Sequence, residues 1–392
     1  VDTPRRALII GAGPGGLTAA IALQRVGVEV AVFDRAARLG TVGGGLGVQS
    51  NALRALMRVG IGERLLSAGS EIRLNEIHDG HGRLVFRLPQ GDVADEFGTP
   101  TIMVLRSDVQ LALLGALEEG IVNLSSECVA VEQDAEGVTA HFTDGRAERG
   151  ALLIGADGGR SVVRRHVYGD AEPPLRYAGL ATWRSVAELD GGILPRATAR
   201  YYNGAGRQFV MFPVGGKRIY WGVMNAEPEG GKDPPEGARE MLCDLLHEFP
   251  EVTRQVIAAT PKSEISRTDL YDRDPAGTWV KGRVVLLGDA AHLTTPFIGQ
   301  GAGISMEDSV VLGKELSLTD GLRDQAMLDV ALDSYQRQRI PRCRKVVLTS
   351  RRRGRVYLLR NPVLAGVRDA VLSRLPYPVT RSMVKRSIVF DV

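Results

Sequence analysis

Two kinds of residue recur side by side in this chain. One is glycine, which lets bare backbone come up against an anion; the other is a single carboxylate able to accept from hydroxyl groups. The densest instance runs from Lys281 to Asp308. Gly282-Arg283-Val284-Val285-Leu286-Leu287-Gly288 is an apolar run flanked by glycines, and Asp289 follows directly. Pro296 and Gly299-Gln300-Gly301-Ala302-Gly303 come next, and Ile304 to Leu316 carries helical apolar spacing. A carboxylate at the end of a buried strand stands where open α/β sheets bind ligands. Glycines at a helix mouth offer free N–H groups and the positive end of the dipole to an anion. A buried strand with a tight turn and a structural Asp would give the same letters, so this stretch needs company.

Company comes from two earlier turns. Ala7 to Ile10 reads as a buried strand, Gly11-Ala12-Gly13-Pro14-Gly15-Gly16 as a turn, Leu17 to Val26 as a helix, and Val28 to Phe33 as a second strand ending at Asp34. Strand, glycine turn, helix, strand and acid, with the acid ~20 residues on, is the unit that binds dinucleotides. The first glycine turns the chain, the second admits a pyrophosphate, and the third packs helix on strand. An acid at Asp34 accepts from ribose hydroxyls and disfavours a 2′-phosphate, so FAD or NAD fits better than NADP. Arg35 and Arg38 either cover the adenine side or are simply exposed. A third strand, Ala151 to Ile154, ends in Gly155-Ala156-Asp157-Gly158-Gly159-Arg160-Ser161, with Val162 to Val167 helical.

Between these turns the rhythm changes. Gly43 to Val48 reads as a loop or irregular strand, Gln49 to Val59 as a helix, and Ile72 to Leu88 as a hairpin turning at Asp79-Gly80. Arg106 to Glu118 is helical, and Val129 to Gln133 with Val138 to Phe142 form an antiparallel pair. Leu180 to Ala187, Ala199 to Tyr202, Gln208 to Pro213 and Arg218 to Met224 are strands rich in aromatics, with a turn at Gly215-Gly216. Ala238 to Phe249 reads as one helix. We therefore expect a β unit of residues 72–100 and 171–270 inserted in an α/β unit of residues 1–71, 101–170 and 271–392, with helices over 341–392.

Composition narrows the class. At 392 residues the chain suggests about two domains. A hydrophobic share of 44% and a charged share of 24% are ordinary for a soluble protein. A net charge of +3 gives no argument for nucleic acid or an anionic membrane. Arg342 to Arg355 is the densest basic cluster and reads first as a solvated helix face, with an anion or partner site as the lesser reading. Cys128, Cys243 and Cys343 are scattered without a Cys-x-x-Cys, so no metal is expected and a reducing, cytoplasmic setting fits. Gly11 to Gly16 interrupts Ala7 to Leu23, which is why that stretch is not read as a signal peptide. No other apolar run approaches the ~20 residues of a membrane span.

The three turns together resemble the single-component flavoprotein aromatic hydroxylases, the family with the p-hydroxybenzoate hydroxylase fold. The residues are Gly11 to Gly16, Gly155-Ala156-Asp157-Gly158, and Gly288-Asp289-Ala290-Ala291-His292 with Pro296 and Gly299 to Gly303. Tyr177-Ala178-Gly179 and Gly45-Leu46-Gly47-Val48 before Asn51-Ala52 are similar to the compact salicylate, urate and 3-hydroxybenzoate hydroxylases. The resemblance implies an α/β fold, with a Rossmann-like FAD-binding domain, an inserted mixed β-sheet substrate domain and a helical C-terminal segment. It implies FAD held by Gly11, Gly13, Gly15 and Gly16 at the pyrophosphate and by Asp34 at the ribose. Arg35, Gly45, Leu46, Gly47 and Arg106 would contact the cofactor, Val129 would lie near adenine, and Asp157 would serve pyrophosphate and NAD(P)H. Asp289 would bind the ribityl side, while Pro296, Gly299, Gly301, Ala302 and Gly303 would face the flavin. His292 reads as structural.

The implied reaction is hydroxylation of an aromatic small molecule, phenolic or polycyclic, with NADPH or NADH as electron donor and O2 as oxidant through a flavin hydroperoxide. No protein nucleophile is needed, and no catalytic residue is assigned. Gln208, Met211, Tyr220 and Gly222, with Pro296 and Phe297, are expected around the substrate. Gln208 stands where urate-type enzymes carry a cation, so a neutral phenol or polycycle is as plausible as a benzoate. An epoxidase, a reductase or dehydrogenase of the same fold, and a non-catalytic flavoprotein remain alternatives; a homodimer is left open.

Overall fold

A computed structural model describes residues 6–40, 44–189, 192–320, 322 and 324–390 of the chain. Six strands form the first sheet, in the order Val280–Lys281, Val284–Leu286, Leu152–Gly155, Arg6–Ile10, Glu29–Phe33 and Val122–Asn123. The central pairs are parallel, with Ile9 between Val32 and Ile154, and Ile154 beside Val285. Ile9, Val32, Ile154 and Val285 are wholly buried, as side chains in a sheet covered on both faces must be. The helices Pro14–Gln24 and Gly301–Thr319 pack against one another over this sheet. A three-stranded antiparallel sheet, Cys128–Gln133, Val138–Phe142 and Ala147–Gly150, lies beside it.

The second large sheet has seven strands, in the order Ser266–Asp272, Arg176–Glu188, Arg218–Ala226, Arg207–Pro213, Thr198–Asn203, Leu74–Asp79 and Leu84–Pro89. It is mixed: Thr198–Asn203 runs parallel to Leu74–Asp79, and the other neighbours are antiparallel. Trp183, Phe209, Met211, Trp221 and Val223 point to one face and pack under Leu242 and Val256 of two helices, Arg239–Leu245 and Glu251–Ala258. The alternate residues face the other way. The architecture is therefore α/β, with a Rossmann-like layer, an inserted mixed sheet and a helical C-terminal segment.

Several boundaries differ from the sequence expectation. Ala238 to Phe249 is not one helix: it stops at Leu245, and Pro250 starts the Glu251–Ala258 helix, which we did not anticipate. The strand before Asp289 keeps only Val284–Leu286, because Gly288 at φ +61° turns the chain. Gly45–Val48 is a strand paired with Ile102–Leu105, while Gly43 lies outside the described residues. The C-terminal helices begin earlier than residue 341: Gln325–Tyr357 is one helix of 33 residues that passes through Pro341. Proline removes one backbone bond there, but Arg339, Cys343 and Val347 on either side are buried and hold the helix together.

Candidate active site

Each glycine of the first turn does a different job. Gly11 has φ +109°, and a Cβ on it would lie 2.3 Å from the Ala156 carbonyl oxygen, so this turn is pressed against the Asp157 turn. A Cβ on Gly16 would lie 1.9 Å from the Gly11 carbonyl oxygen, which sets the closeness of helix and strand. Gly13 has ordinary extended angles and nothing within 4 Å of its would-be Cβ. It is the glycine that faces open space. Asp34 folds back on this turn, its carboxylate accepting from Ala12 N–H at 2.6 Å and Ala36 N–H at 2.8 Å. Gln110, which the sequence reading missed, donates to the Ala12 carbonyl and accepts from Gly40 N–H, both at 2.9 Å.

The cavity that begins at Gly13 has a volume of about 450 Å³. Gly13, Gly15 and Gly16 line one end, with Gly45, Leu46, Gly47 and Arg106 along a side. Asp289, Pro296, Phe297, Gly299, Gly301 and Ala302 line the middle. Asp289 is enclosed by protein, yet its side chain stands exposed to the cavity. Burial pushes its carboxyl pKa up, and His292 and Arg106 oppose that rise. The Gly299 to Ala302 turn is braced from behind. Gln300 Nε2 donates to Gln49 Oε1 at 2.5 Å and to the Ser387 carbonyl at 3.1 Å, and Asn51 Nδ2 donates to Gln300 Oε1 at 2.9 Å.

Not every expected residue reaches this cavity. Arg35 is exposed on the surface and Val129 is half exposed on its strand, both outside the lining. Gly303 turns back towards Ala52, 3.3 Å from its would-be Cβ, and serves helix packing. Asp157 is engaged as a helix-start acceptor, bonded by Ser161 Oγ at 2.5 Å, Val162 N–H at 2.7 Å and Val163 N–H at 3.2 Å. Its neighbours Ala156 and Gly158 are the residues that line the cavity. Met211 is the clearest correction. It lies under the two helices with Phe209, because strand alternation sends Gln208, Val210 and Phe212 to the cavity and Met211 away from it.

The seven-stranded sheet roofs the far end. Gln208, Tyr220 and Gly222 line it as expected from their parity, and Thr182, Tyr201 and Met224 join them. Gly45 lies so close beneath this roof that a Cβ there would stand 2.7 Å from Tyr220 and Phe212. Burial drives the Tyr201 phenol to a pKa of about 12 and raises that of Tyr220, so both stay protonated at neutral pH. Four amides also line the cavity, Asn75 and Gln90 towards one end of the Thr198–Asn203 strand and Asn203 and Gln208 at the other. Gln208 donates to Asn203 at 2.5 Å, whereas Asn75 Oδ1 and Gln90 Oε1 are buried with no partner among the described residues. Two cations missed by the sequence reading, Arg184 and Arg353, also reach the lining. Period-two alternation could have found Arg184, but Arg353 comes from a distant helix that carries no local signal.

Residues 5–350 match the sequence profile of the family described as FAD binding domain. The chain belongs to that family of FAD-dependent aromatic hydroxylases. Among its relatives, the aurachin C monooxygenase/isomerase of Stigmatella aurantiaca is 35% identical over 383 residues, covering 98% of this chain and 97% of the relative. The 3-hydroxybenzoate 6-hydroxylase of Polaromonas naphthalenivorans strain CJ2 is 37% identical over 380 residues, covering 92% and 91%. The crystal structure of Klebsiella pneumoniae HpxO with FAD and uric acid superposes with a TM-score of 0.90 at 30% identity, covering 97% of this chain and 96% of that one. The protein is an FAD-dependent monooxygenase. No described helix is long and apolar enough to cross a membrane.

Behind the Asp289 turn this flavoprotein buries a chain of charges. Asp308 accepts from Gly288 N–H at 3.1 Å and from Arg339 Nε at 2.7 Å, and sits 2.5 Å from His292 Nε2. Arg339 continues to Glu307 at 2.6 Å, and Asn51 Nδ2 closes on Glu307 at 2.5 Å. Burial works against the Asp308 carboxylate, but His292 and Arg339 outweigh it and hold its pKa to about 2. Burial also disfavours a charged His292; the Asp308 carboxylate 2.5 Å away overcomes it and raises the imidazole well above its usual value. Burial raises the Cys343 thiol as well, so it stays neutral and Asp308 is the counter-charge. Ligand atoms of His292, Asp308 and Cys343 lie within 4.8 Å of one another, a spacing a cation could span. Arg339 and the Gly288 amide already satisfy the Asp308 carboxylate, so the cluster is an ion-pair brace under the turn.

Proposed function

We propose that this monooxygenase hydroxylates an electron-rich aromatic small molecule that is largely apolar and carries at least one hydrogen-bond donor. The observation that carries the reading is one continuous cavity lined by Gly13, by Asp289 and the Gly301 helix start, and by the amide-bearing sheet. Gly13 leaves room for a pyrophosphate, and the helix starts at Pro14 and Gly301 favour negative charge beside them. Asp34 keeps acceptor capacity for ribose hydroxyls beyond the two amides it already holds. Asp289 would take hydroxyls of the ribityl chain. FAD so held would supply the two-electron and oxygen chemistry.

The chain's own residues bind, orient and exclude water. Asn75 and Gln90 offer buried acceptors to a substrate O–H or N–H. Tyr220, Phe212 and Phe297 supply an apolar enclosure that keeps bulk water from the reacting ring. The Gly301 and Ala302 amides, in the first turn of their helix, would face negative charge on a bound FAD. In balance, NAD(P)H, a proton, O2 and the aromatic C–H give NAD(P)+, the phenol and water. The scattered cysteines fit a reducing cytoplasm.

The test uses purified yellow protein under air. NADH and NADPH oxidation is followed with a panel of phenols, anilines and polycyclic phenols, and ¹⁸O2 is traced into product. Substrate-stimulated oxidation with one ¹⁸O per product supports the reading. Oxidation without oxygen insertion for every substrate would replace it with a reductase.

A further inference from the structure

The Pro362–Leu372 helix is inside out. Its inward side carries Arg368 and Asp369, only 6% and 9% exposed. Its outward side carries Val363, Leu364, Val367 and Val371, at 73%, 52%, 55% and 60% exposed. At 100° per residue those four fall within an arc of about 100°. The inversion has a local cause. Arg368 donates to the Tyr357 carbonyl at 2.6 Å, at the end of the preceding helix, and to the Asn203 carbonyl of the sheet at 3.3 Å. Those contacts fix the polar side inward, and Asn361 caps the helix start by accepting from Val363 and Leu364 N–H. The apolar stripe is left facing outward.

The segment that carries this stripe is strongly basic. Residues 341–392 contain thirteen Arg and Lys against two Asp, a net of +11, so the first 340 residues carry −8 to leave the whole at +3. Lys345, Arg352 and Val356 stand seven and four residues apart on one outer face of the long helix, and all three are exposed. Arg360 lies just before the inverted helix and Arg374 just after it. No carboxylate among the described residues pairs with Lys345, Arg352, Arg355 or Arg360. A basic cleft of about 450 Å³ also opens between the long helix and Tyr377–Ile388, lined by Lys345, Arg352 and Arg386.

We propose that these C-terminal helices dock the protein on an anionic lipid surface, with the valine stripe entering the headgroup region and the arginines meeting lipid phosphates. An exposed apolar stripe within a basic helical segment is the pattern of helices that lie in a membrane interface. A second copy of the chain is the poorer occupant. A twofold contact would set this basic segment against its own image, cation facing cation.

Vesicle flotation of the FAD-loaded protein tests this. Phosphatidylcholine vesicles are compared with vesicles containing phosphatidylglycerol, at low and high salt, for wild type, Val367→Asp and the triple Arg352→Gln/Arg355→Gln/Arg360→Gln. We expect binding to the anionic vesicles only, reversed by salt, and weakened at least roughly tenfold in each variant, with flavin content and Tm unchanged. Wild type that ignores anionic vesicles, or variants that bind as well as wild type, would overturn the proposal. So would a dimer in sedimentation velocity that Val367→Asp splits while vesicle binding is absent.

Discussion

Gly13 and Gly16, three residues apart in one turn, meet opposite surroundings. A Cβ on Gly13 enters open cavity; a Cβ on Gly16 strikes the Gly11 carbonyl oxygen at 1.9 Å. The two substitutions should therefore fail in different ways. Gly13→Val should fold, with an unchanged circular dichroism spectrum, and bind FAD at least tenfold more weakly, about 1.4 kcal/mol. Gly16→Val should lose soluble folded protein. Normal flavin content in Gly13→Val would remove that glycine from the cofactor site.

Asp289 faces the cavity, so its removal tests binding more than packing. Asp289→Ala should keep its melting temperature within a few degrees and hold FAD about 1.5–3 kcal/mol less tightly, the worth of hydrogen bonds to a charged group. Equilibrium dialysis of the flavin reads this. Full occupancy with unchanged turnover would contradict the assignment.

The free acceptors of Asn75 and Gln90 predict a selective effect. Asn75→Leu and Gln90→Leu should raise KM for a donor-bearing substrate by roughly tenfold, an unmade hydrogen bond of about 1–3 kcal/mol. For the matching methyl ether, which has no donor, KM should hardly change. Equal losses for both compounds would mean the amides shape the roof without reading the substrate.

The ion-pair brace predicts a pH dependence with a definite sign. Asp308 titrates near about 2 in the folded protein, below its ordinary 3.8. Its contribution is complete above the ordinary value and drains away as pH falls from there to about 2, roughly 2 kcal/mol in all. His292 has the opposite sense: its raised pKa stabilises below the ordinary imidazole value and fades as pH climbs through the raised one. Arg339→Leu should cost roughly 3–5 kcal/mol by removing the cation that two buried carboxylates share, leaving Asp308 to His292 and Glu307 to Arg342. Urea unfolding across pH reads each effect. An Asp308→Asn variant with the wild-type acid limb would rule out the assignment.

What could be read from the letters was what local spacing controls. Gly13, Asp289 and the Gly299 to Ala302 turn reach the cavity because a strand end, a turn and a helix start are short-range features. Met211 was misplaced although the rule that excludes it was in hand, since Gln208 and Met211 have opposite parity on one strand. Asp157 illustrates a second kind of loss, for a carboxylate beside glycines can serve a helix start as readily as a ligand. Arg353, Asn75 and Gln90 were invisible for another reason. They arrive from a hairpin and a helix that only tertiary packing brings to the same void.

The Gln300 amide reaches across to the Ser387 carbonyl, 87 positions further along. The turn that carries Gly299 to Ala302 is thus finished from behind by a helix made long after it. On the ribosome, the glycine fingerprint therefore emerges well before this brace does. Coenzyme capture should therefore wait for that helix, and a nascent chain halted before it would leave the tunnel with every phosphate-facing glycine present and no firm hold on the vitamin-derived ring.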